Sequence, residues 1–233
     1  MDNLFLKYMK ERSGQKKQPD TSDTLPGPVI TISREYGCHG KRIAERLAAL
    51  LNMKASKLGV EKQWRWISKE ILERSAKELK LTPSLLKDLS DKKQTSFFEN
   101  LALFFSEAYY PGDAKIKNTI AKFIHEEAAE GCVIIVGRAG EAITKDIKQS
   151  FHIKLEAPLD WRVKSVVENS GVSAGEARKT CIEQDKRREK FRDYFEKDRP
   201  DVDFFDLRIN TKSMNDDEIV DLLLSVIDSR GFL

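Results

Sequence analysis

Gly37 and Gly40, with Lys41 and Arg42 directly behind them, have the types and spacing to do chemistry. Glycines in a bend let backbone N–H groups converge on an oxyanion, a helix starting just after adds the positive end of its dipole, and a lysine brings a mobile full charge. The chemistry is the holding of phosphate. The pattern G-x-x-x-x-G-K-[ST] is met in part: Gly40-Lys41 is present, Glu35 stands where the first glycine belongs, and Arg42 replaces the hydroxyl residue. The plainer alternative is a tight strand-to-helix turn with Lys41 a solvated first-turn residue. Cys38 and His39 complete the bend, and Cys38 reads as a small residue filling a turn rather than a reactive thiol.

The elements that must position this bend are legible on either side of it. Val29, Ile30 and Ile32 make a short apolar run, whereas Ile43, Ala44, Leu47, Ala48 and Leu51 recur at helical spacing. Further along, Asp113 to Gly131 carries helical apolar positions and closes on a glycine suited to a left-handed cap. Cys132 to Val136 is apolar on both faces, as a central parallel strand should be, and ends at Gly137-Arg138. Open parallel sheets bind ligands beyond the C-terminal ends of their strands, so Arg138 is expected at the same edge as the 37–41 bend. Phe151 to Leu155 reads as the next strand, and Asp160 opens a helix that stops at Gly171. Phe204 to Asn210 reads as a fourth strand, and a last helix from Asp216 is capped near Asn215.

A second basic concentration lies on one long helical stretch from about Ser173 to Lys197. It carries Asp185, Arg187, Arg188 and Arg192 among alternating acids. Pairs at i,i+4 explain the charge but not the bias to arginine, the side chain that grips phosphate bidentately. Trp64 and Trp66 flank Arg65, an arrangement that could stack a base but more often packs an element against the core. His152 lies within a strand and reads as a buried, satisfied histidine.

Bulk numbers narrow the classes. A chain of 233 residues can bury a substantial core, and we expect one α/β domain over 28–233 behind a flexible leader over 1–27. Lys+Arg of 41 against Asp+Glu of 38 gives a formal net charge of +3, far from the excess of a protein that coats nucleic acid. Three cysteines without C-x-x-C spacing indicate neither a disulfide framework nor a zinc site, and no run of 18 apolar residues or signal-peptide core is present. A cytoplasmic protein without membrane or nucleic-acid partners is the expectation. The aromatic stretch 94–110 suggests a cavity lining or a face for self-association, core packing being the default.

Taken together, I-S-R-E-Y-G-x-x-G-K, V-I-I-V-G-R-A-G, D-K-R-R-E-K-F-R-D-Y-F and F-D-L-R-I-N-T resemble the cytidylate kinase-like proteins of the nucleoside monophosphate kinase branch, from about Pro28 to the C-terminus. The resemblance implies a three-layer α/β P-loop kinase fold with a central parallel sheet. It also implies a helical acceptor-binding insert over 53–130 and an arginine-rich lid over 173–199. It implies ATP and Mg²⁺ as cofactors, with Gly37, Cys38, His39, Gly40, Lys41 and Arg42 around the donor phosphates. Arg138, Asp185 and Arg188 would hold the acceptor, with Lys41, Arg187, Arg188 and Arg192 neutralising the transferring phosphoryl group. Arg42 cannot give Mg²⁺ a hydroxyl, and Val136-Gly137 supplies no strand-end aspartate, so metal ligands stay unassigned; Glu35 or Asp185 orienting metal waters is a hypothesis.

Three functions are therefore weighed. The first is transfer of the γ-phosphate of ATP to a nucleoside monophosphate, CMP or dCMP being the family's acceptor. The second is a nucleotide-binding sensor or degenerate kinase with little transfer, and the third a nucleic-acid binder using 178–199, against which the modest charge argues.

Overall fold

The computed structural model describes residues 28–68, 70–71, 74–75, 113–196 and 199–233. The expected leader over 1–27, the Thr82-Pro83 helix start and the aromatic stretch 94–110 lie outside the described residues.

Five strands form one parallel sheet: β1 (Val29–Arg34), β2 (Arg65–Ile67), β3 (Val133–Val136), β4 (Ser150–Glu156) and β5 (Leu207–Asn210). Their order across the sheet is β2-β3-β1-β4-β5, which puts β1 at the centre. Among the described residues the helices with complete bounds are α1 (Gly40–Lys57), α2 (Asp113–Glu130), α3 (Gly140–Ile143), α4 (Leu159–Ser170), α5 (Ala174–Asp193) and α6 (Asp216–Ser229).

Strand alternation separates two cores. Ile30, Ile32, Ile134 and Val136 meet Ile43, Leu47 and Leu51 of α1 together with Ile219, Leu223 and Ile227 of α6. Val29, Val133 and Ile135 point the other way, onto Ile120, Ile124 and Ala128 of α2. Both faces of β1 and β3 are covered, which is why β3 is apolar without alternation and why even Thr31 of β1 is buried. The result is a three-layer α/β fold.

Helix α5 differs from the others. Its capping box of Ser173 and Glu176 starts it cleanly, yet only Ala177, Cys181 and Arg192 are buried along its length. A helix that is polar nearly all round is held by specific polar contacts rather than by a stripe, and those contacts turn out to reach the glycine bend.

Three expectations need correction. The last strand is the fifth, because Arg65–Ile67 also joins the sheet, paired parallel with β3. Three residues are too few to show period two, and Trp64, 3% exposed, is a core residue ahead of that strand. The last strand also begins at Leu207 rather than Phe204, since Asp201–Phe204 makes a 3₁₀ turn that buries Phe204. Finally, α5 stops at Asp193, four residues before Lys197.

His152 is buried as expected but only half satisfied: Nδ1 lies 2.8 Å from the Thr31 hydroxyl, and Nε2 has no hydrogen-bond partner. Burial pushes its pKa down from 6.5 to about 4, Asp206 opposing. The unfolded chain therefore binds a proton near pH 6.5 that the folded chain refuses until about pH 4. Stability is full above pH 6.5 and falls through that window, by about 3 kcal/mol for a shift of this size. Melting temperatures from pH 7.5 to 4 check this: His152→Asn should flatten part of the decline.

Candidate active site

The C-terminal ends of β1, β3 and β4 open onto one edge, and the chain leaves each of them through a different device. After β1 it makes the glycine bend. Gly37 sits at φ +94°, where a side chain is strained, and a Cβ there would come within 2.9 Å of the Arg162 carbonyl. After β3 it turns through Gly137, Arg138 and Ala139 at φ +75°, +61° and +52°, three left-handed residues in a row. Two of these are not glycine, each at a cost of about 1–2 kcal/mol, and such strain clusters where a side chain must be aimed.

The glycine bend is tied to the protein's own acceptors. The Glu35 amide donates to Leu155 O (2.9 Å), Cys38 N to Glu35 O (3.2 Å) and Gly40 N to Cys38 O (2.9 Å). The Tyr36 amide donates to Asp185 Oδ1 on α5 at 2.7 Å. Arg162, 6% exposed on α4, is the hub beneath: its Nε donates to Ala157 O (2.9 Å) and its Nη1 to Tyr36 O (3.1 Å) and to Asp185 Oδ2 (2.6 Å). It also pairs with Glu35 at 3.2 Å, and Glu35 accepts the Ala157 amide. Asp185 and Glu35, named above as candidate metal-water ligands, thus have oxygens engaged by the bend, the Ala157 amide and Arg162. Neither faces a ligand with a free oxygen pair.

Three arginines converge where β1 and β3 end. Arg188, the residue one turn beyond Asp185, donates to the backbone oxygen of Arg34 at 2.7 Å and sits 5.5 Å over the Tyr36 ring. Arg138 and the Arg34 side chain have neither a hydrogen bond nor an ion pair among the described residues, and the nearest carboxylate to Arg188 is Asp185 at 3.8 Å. Burial, and then each other's charge, lowers their pKa values: Arg34 falls well below the usual arginine range, and Arg138 to about 10 through burial and Arg188. Arg188 is lowered too, by burial against the opposing pull of Asp185. Half-buried cations that repel one another, with no carboxylate nearer than Asp185 at 3.8 Å from Arg188, are the donor types an anion takes.

Arg192 does not join them. It is 9% exposed, its Nη2 lies 2.9 Å from Asp201 Oδ1, and its guanidinium stacks 4.9 Å from the Phe204 ring centre. It anchors the end of α5. Arg187, one residue before Arg188, is half-buried and makes no ion pair among the described residues. Arg42 is exposed and pairs with Asp216 at the start of α6, while its Nη2 approaches His39 Nδ1 at 2.7 Å. Nδ1 is therefore the acceptor and the Nε2–H faces the Ser165 hydroxyl at 3.1 Å; burial and Arg42 lower the His39 pKa. Lys41 is exposed on the first turn of α1.

Beside the bend, His39, Arg42, Trp161, the loop after β5 and the first turn of α6 line an open groove of about 640 Å³, within the size range of small-molecule sites. Sequence reading missed this groove, because its wall is the loop after β5, as it missed Arg162 and Arg34.

Cys38 is buried in the bend, with the Thr211 hydroxyl 3.3 Å from its sulfur, and burial pushes its pKa up to about 11. Cys132 and Cys181 are buried and raised as well. Iodoacetamide at pH 8 should therefore label none of the three in the native protein and all three in denaturant, read by intact mass.

Residues 29–213 match the model of the cytidylate kinase-like family. The chain belongs to the cytidylate kinase-like family. A cytidylate kinase of Staphylothermus marinus is 28% identical over 117 residues, covering 50% of this chain and 66% of that one. A uronate isomerase of Corynebacterium glutamicum is 32% identical over 113 residues, but these cover 48% of this chain and 22% of that protein. The chain thus spans less than two thirds of either curated relative. Among solved structures, a protein of Eubacterium ventriosum described as uncharacterised superposes with a TM-score of 0.62 at 25% identity. That match covers 87% of this chain and 98% of that one. The open five-stranded parallel sheet with helices on both faces is a three-layer α/β P-loop kinase fold. Among the described residues, no helix is long and apolar enough to cross a membrane.

Proposed function

We propose that this member of the cytidylate kinase-like family moves the γ-phosphate of ATP to a nucleoside monophosphate, with CMP or dCMP as acceptor. The observation that carries the reading is the meeting at the strand ends of Arg138, which has no ion pair among the described residues, and Arg188, whose nearest carboxylate, Asp185 at 3.8 Å, is already held by Arg162 and the Tyr36 amide. Phosphoryl transfer asks for positioning and charge neutralisation, and needs no general base from the protein. Arg138 is assigned to the acceptor phosphate and Arg188, with Arg187, to the group in flight. Gly37 to Arg42 with Lys41 are assigned to the donor phosphates. The groove by Trp161 is assigned to the donor nucleoside, an aromatic ring and several hydrogen-bonding groups being its walls. Arg192 acts indirectly, holding the end of α5.

The arginine edge fits the phosphates of ATP by donor type. Among the described residues no group of three His, Cys, Asp or Glu is placed to hold a metal. Mg²⁺ is accordingly read as entering on the ATP phosphates, as part of the substrate, where it neutralises charge. A second reading, nucleotide binding with little transfer, draws on one observation: Asp185 already occupies the Tyr36 amide that a phosphate would take.

ADP release measured by coupled assay against a panel of monophosphates tests the reading. Turnover with CMP or dCMP is expected, and Arg138→Ala should lower kcat/KM for the acceptor by two orders of magnitude or more, the scale of about 3 kcal/mol for a lost charge-assisted pair. Stabilisation by ATP with no turnover on any monophosphate would leave the second reading.

A further inference from the structure

The last residue of β1 is the least expected member of the arginine edge. In the phosphate-loop pattern the chain leaving a first strand supplies glycine and backbone amides; here it supplies a guanidinium. The Arg34 stem runs across Gly40, whose missing Cβ would lie 3.2–3.6 Å from Cδ, Cγ and Cβ of Arg34. The head then lies against Gly137, where a Cβ would overlap one guanidinium nitrogen and come within 3.1 Å of Cζ. Two glycines on two different segments thus leave a channel for one side chain. The Arg34 backbone oxygen is gripped by Arg188, so the base of the side chain is fixed as well as its path.

A guanidinium this constrained ordinarily has a carboxylate as its reason. Arg34 has none within ion-pairing distance among the described residues, and its closest charges of the same sign are Arg188 and Arg138. Glu141 and Asp185 draw on it electrostatically, but Asp185 is engaged by Arg162 and the Tyr36 amide, and Glu141 is 3% exposed, has Oε2 without a hydrogen bond and is pushed toward its neutral form by burial. The unmet charge therefore faces the edge where Arg138 and Arg188 lie.

We propose that Arg34 is a phosphate-binding residue, the third guanidinium of a socket it forms with Arg138 and Arg188, and that Gly40 and Gly137 are glycines because the side chain must pass over both. Three guanidinium groups on one anion select a terminal phosphate carrying two negative charges, or a pyrophosphate, over a singly charged phosphodiester. The ligand class is thus a dianionic terminal phosphate or a pyrophosphate group, not a phosphodiester. The proposal takes from the phosphoryl-transfer reading only the identity of the bound group.

Inorganic pyrophosphate is the probe, titrated calorimetrically into the full chain at fixed ionic strength. Arg34→Met should weaken binding ten- to a hundredfold, the effect of removing one charge-assisted donor pair. Arg178→Met, which removes an exposed arginine paired with Asp160, should leave the affinity within twofold. Unchanged affinity in Arg34→Met, or an equal loss in both variants, overturns the proposal. Should Arg34→Met fail to fold by circular dichroism, Arg34→Lys serves, since it keeps charge and stem and loses only the fork. A loss of threefold or more is then expected, and wild-type affinity would overturn the assignment. Failure of the kinase reading looks different: the wild-type chain would bind pyrophosphate in an Arg34-dependent way and release no ADP with any monophosphate.

Discussion

Gly137→Ala should lower stability by about 2–5 kcal/mol, and most of that loss should vanish when Arg34 is also truncated. Two separate terms make up the expectation. The backbone at φ +75° charges any L side chain about 1–2 kcal/mol. The added methyl also collides with the Arg34 guanidinium, and forcing a packed side chain aside costs about 1–3 kcal/mol more. In an Arg34→Ala background the collision is gone and only the backbone term remains. The double-mutant cycle by urea unfolding should therefore show a coupling of about 1–3 kcal/mol between residues that are neighbours only in space. Additive losses would mean that Arg34 does not lie on Gly137. In the same variant, phosphate affinity should fall because the guanidinium has been displaced, even though no charge was removed.

Arg162→Met should be the most damaging single change at the site. Arg162 is 6% exposed and holds Ala157 O, Tyr36 O, Glu35 and Asp185 at once. Removing one partner of a buried ionic network leaves the others uncompensated, at about 3–5 kcal/mol. For a chain of this size each kcal/mol lowers the melting temperature by roughly 2–4 °C, so a fall of at least about 6 °C is expected. The loss should also reach function without touching a ligand. Asp185 fixes the Tyr36 amide and stands one turn before Arg188 on α5, so releasing it loosens the bend and α5 together. Arg162→Lys should recover some stability but not the geometry, since an ammonium cannot serve both Ala157 O and Asp185 from one fixed plane. A melting temperature within 2 °C of wild type for Arg162→Met would show that the network is not a structural hub.

Much of this edge could be read before any coordinates. The change from a short apolar run, Val29, Ile30 and Ile32, to helical spacing marks β1 and α1, and the strand-end rule places Arg138 beside the bend, because both follow from the chain's local pattern. The capping boxes at Ser173 and Asn215 are equally local. What could not be read depends on tertiary passage. Arg34 looks like the polar close of a strand until Gly137 and Gly40 are seen beneath it. Arg162 sits among valines and a lysine as an ordinary surface position of α4, and only the approach of Tyr36 and Asp185 reveals it as a core residue. Arg192, in a run of arginines that all suggest phosphate, turns instead to Asp201 and Phe204, because helical phase sends it to the side opposite solvent. The strand at Arg65–Ile67 is too short to carry a period, although the commoner reading of Trp64 and Trp66, packing against the core, holds for both.

Phosphorus NMR of the chain with ATP, Mg²⁺ and CMP tests the central claim most directly, because it follows the transferred group itself. The arginine edge predicts that the monophosphate signal of CMP is replaced by the paired signals of a diphosphate while ATP becomes ADP, and that Arg138→Ala abolishes the exchange with its fold intact. ATP left whole beside unchanged CMP, dCMP and the other monophosphates, or ADP formed as fast by Arg138→Ala as by the wild type, would contradict it.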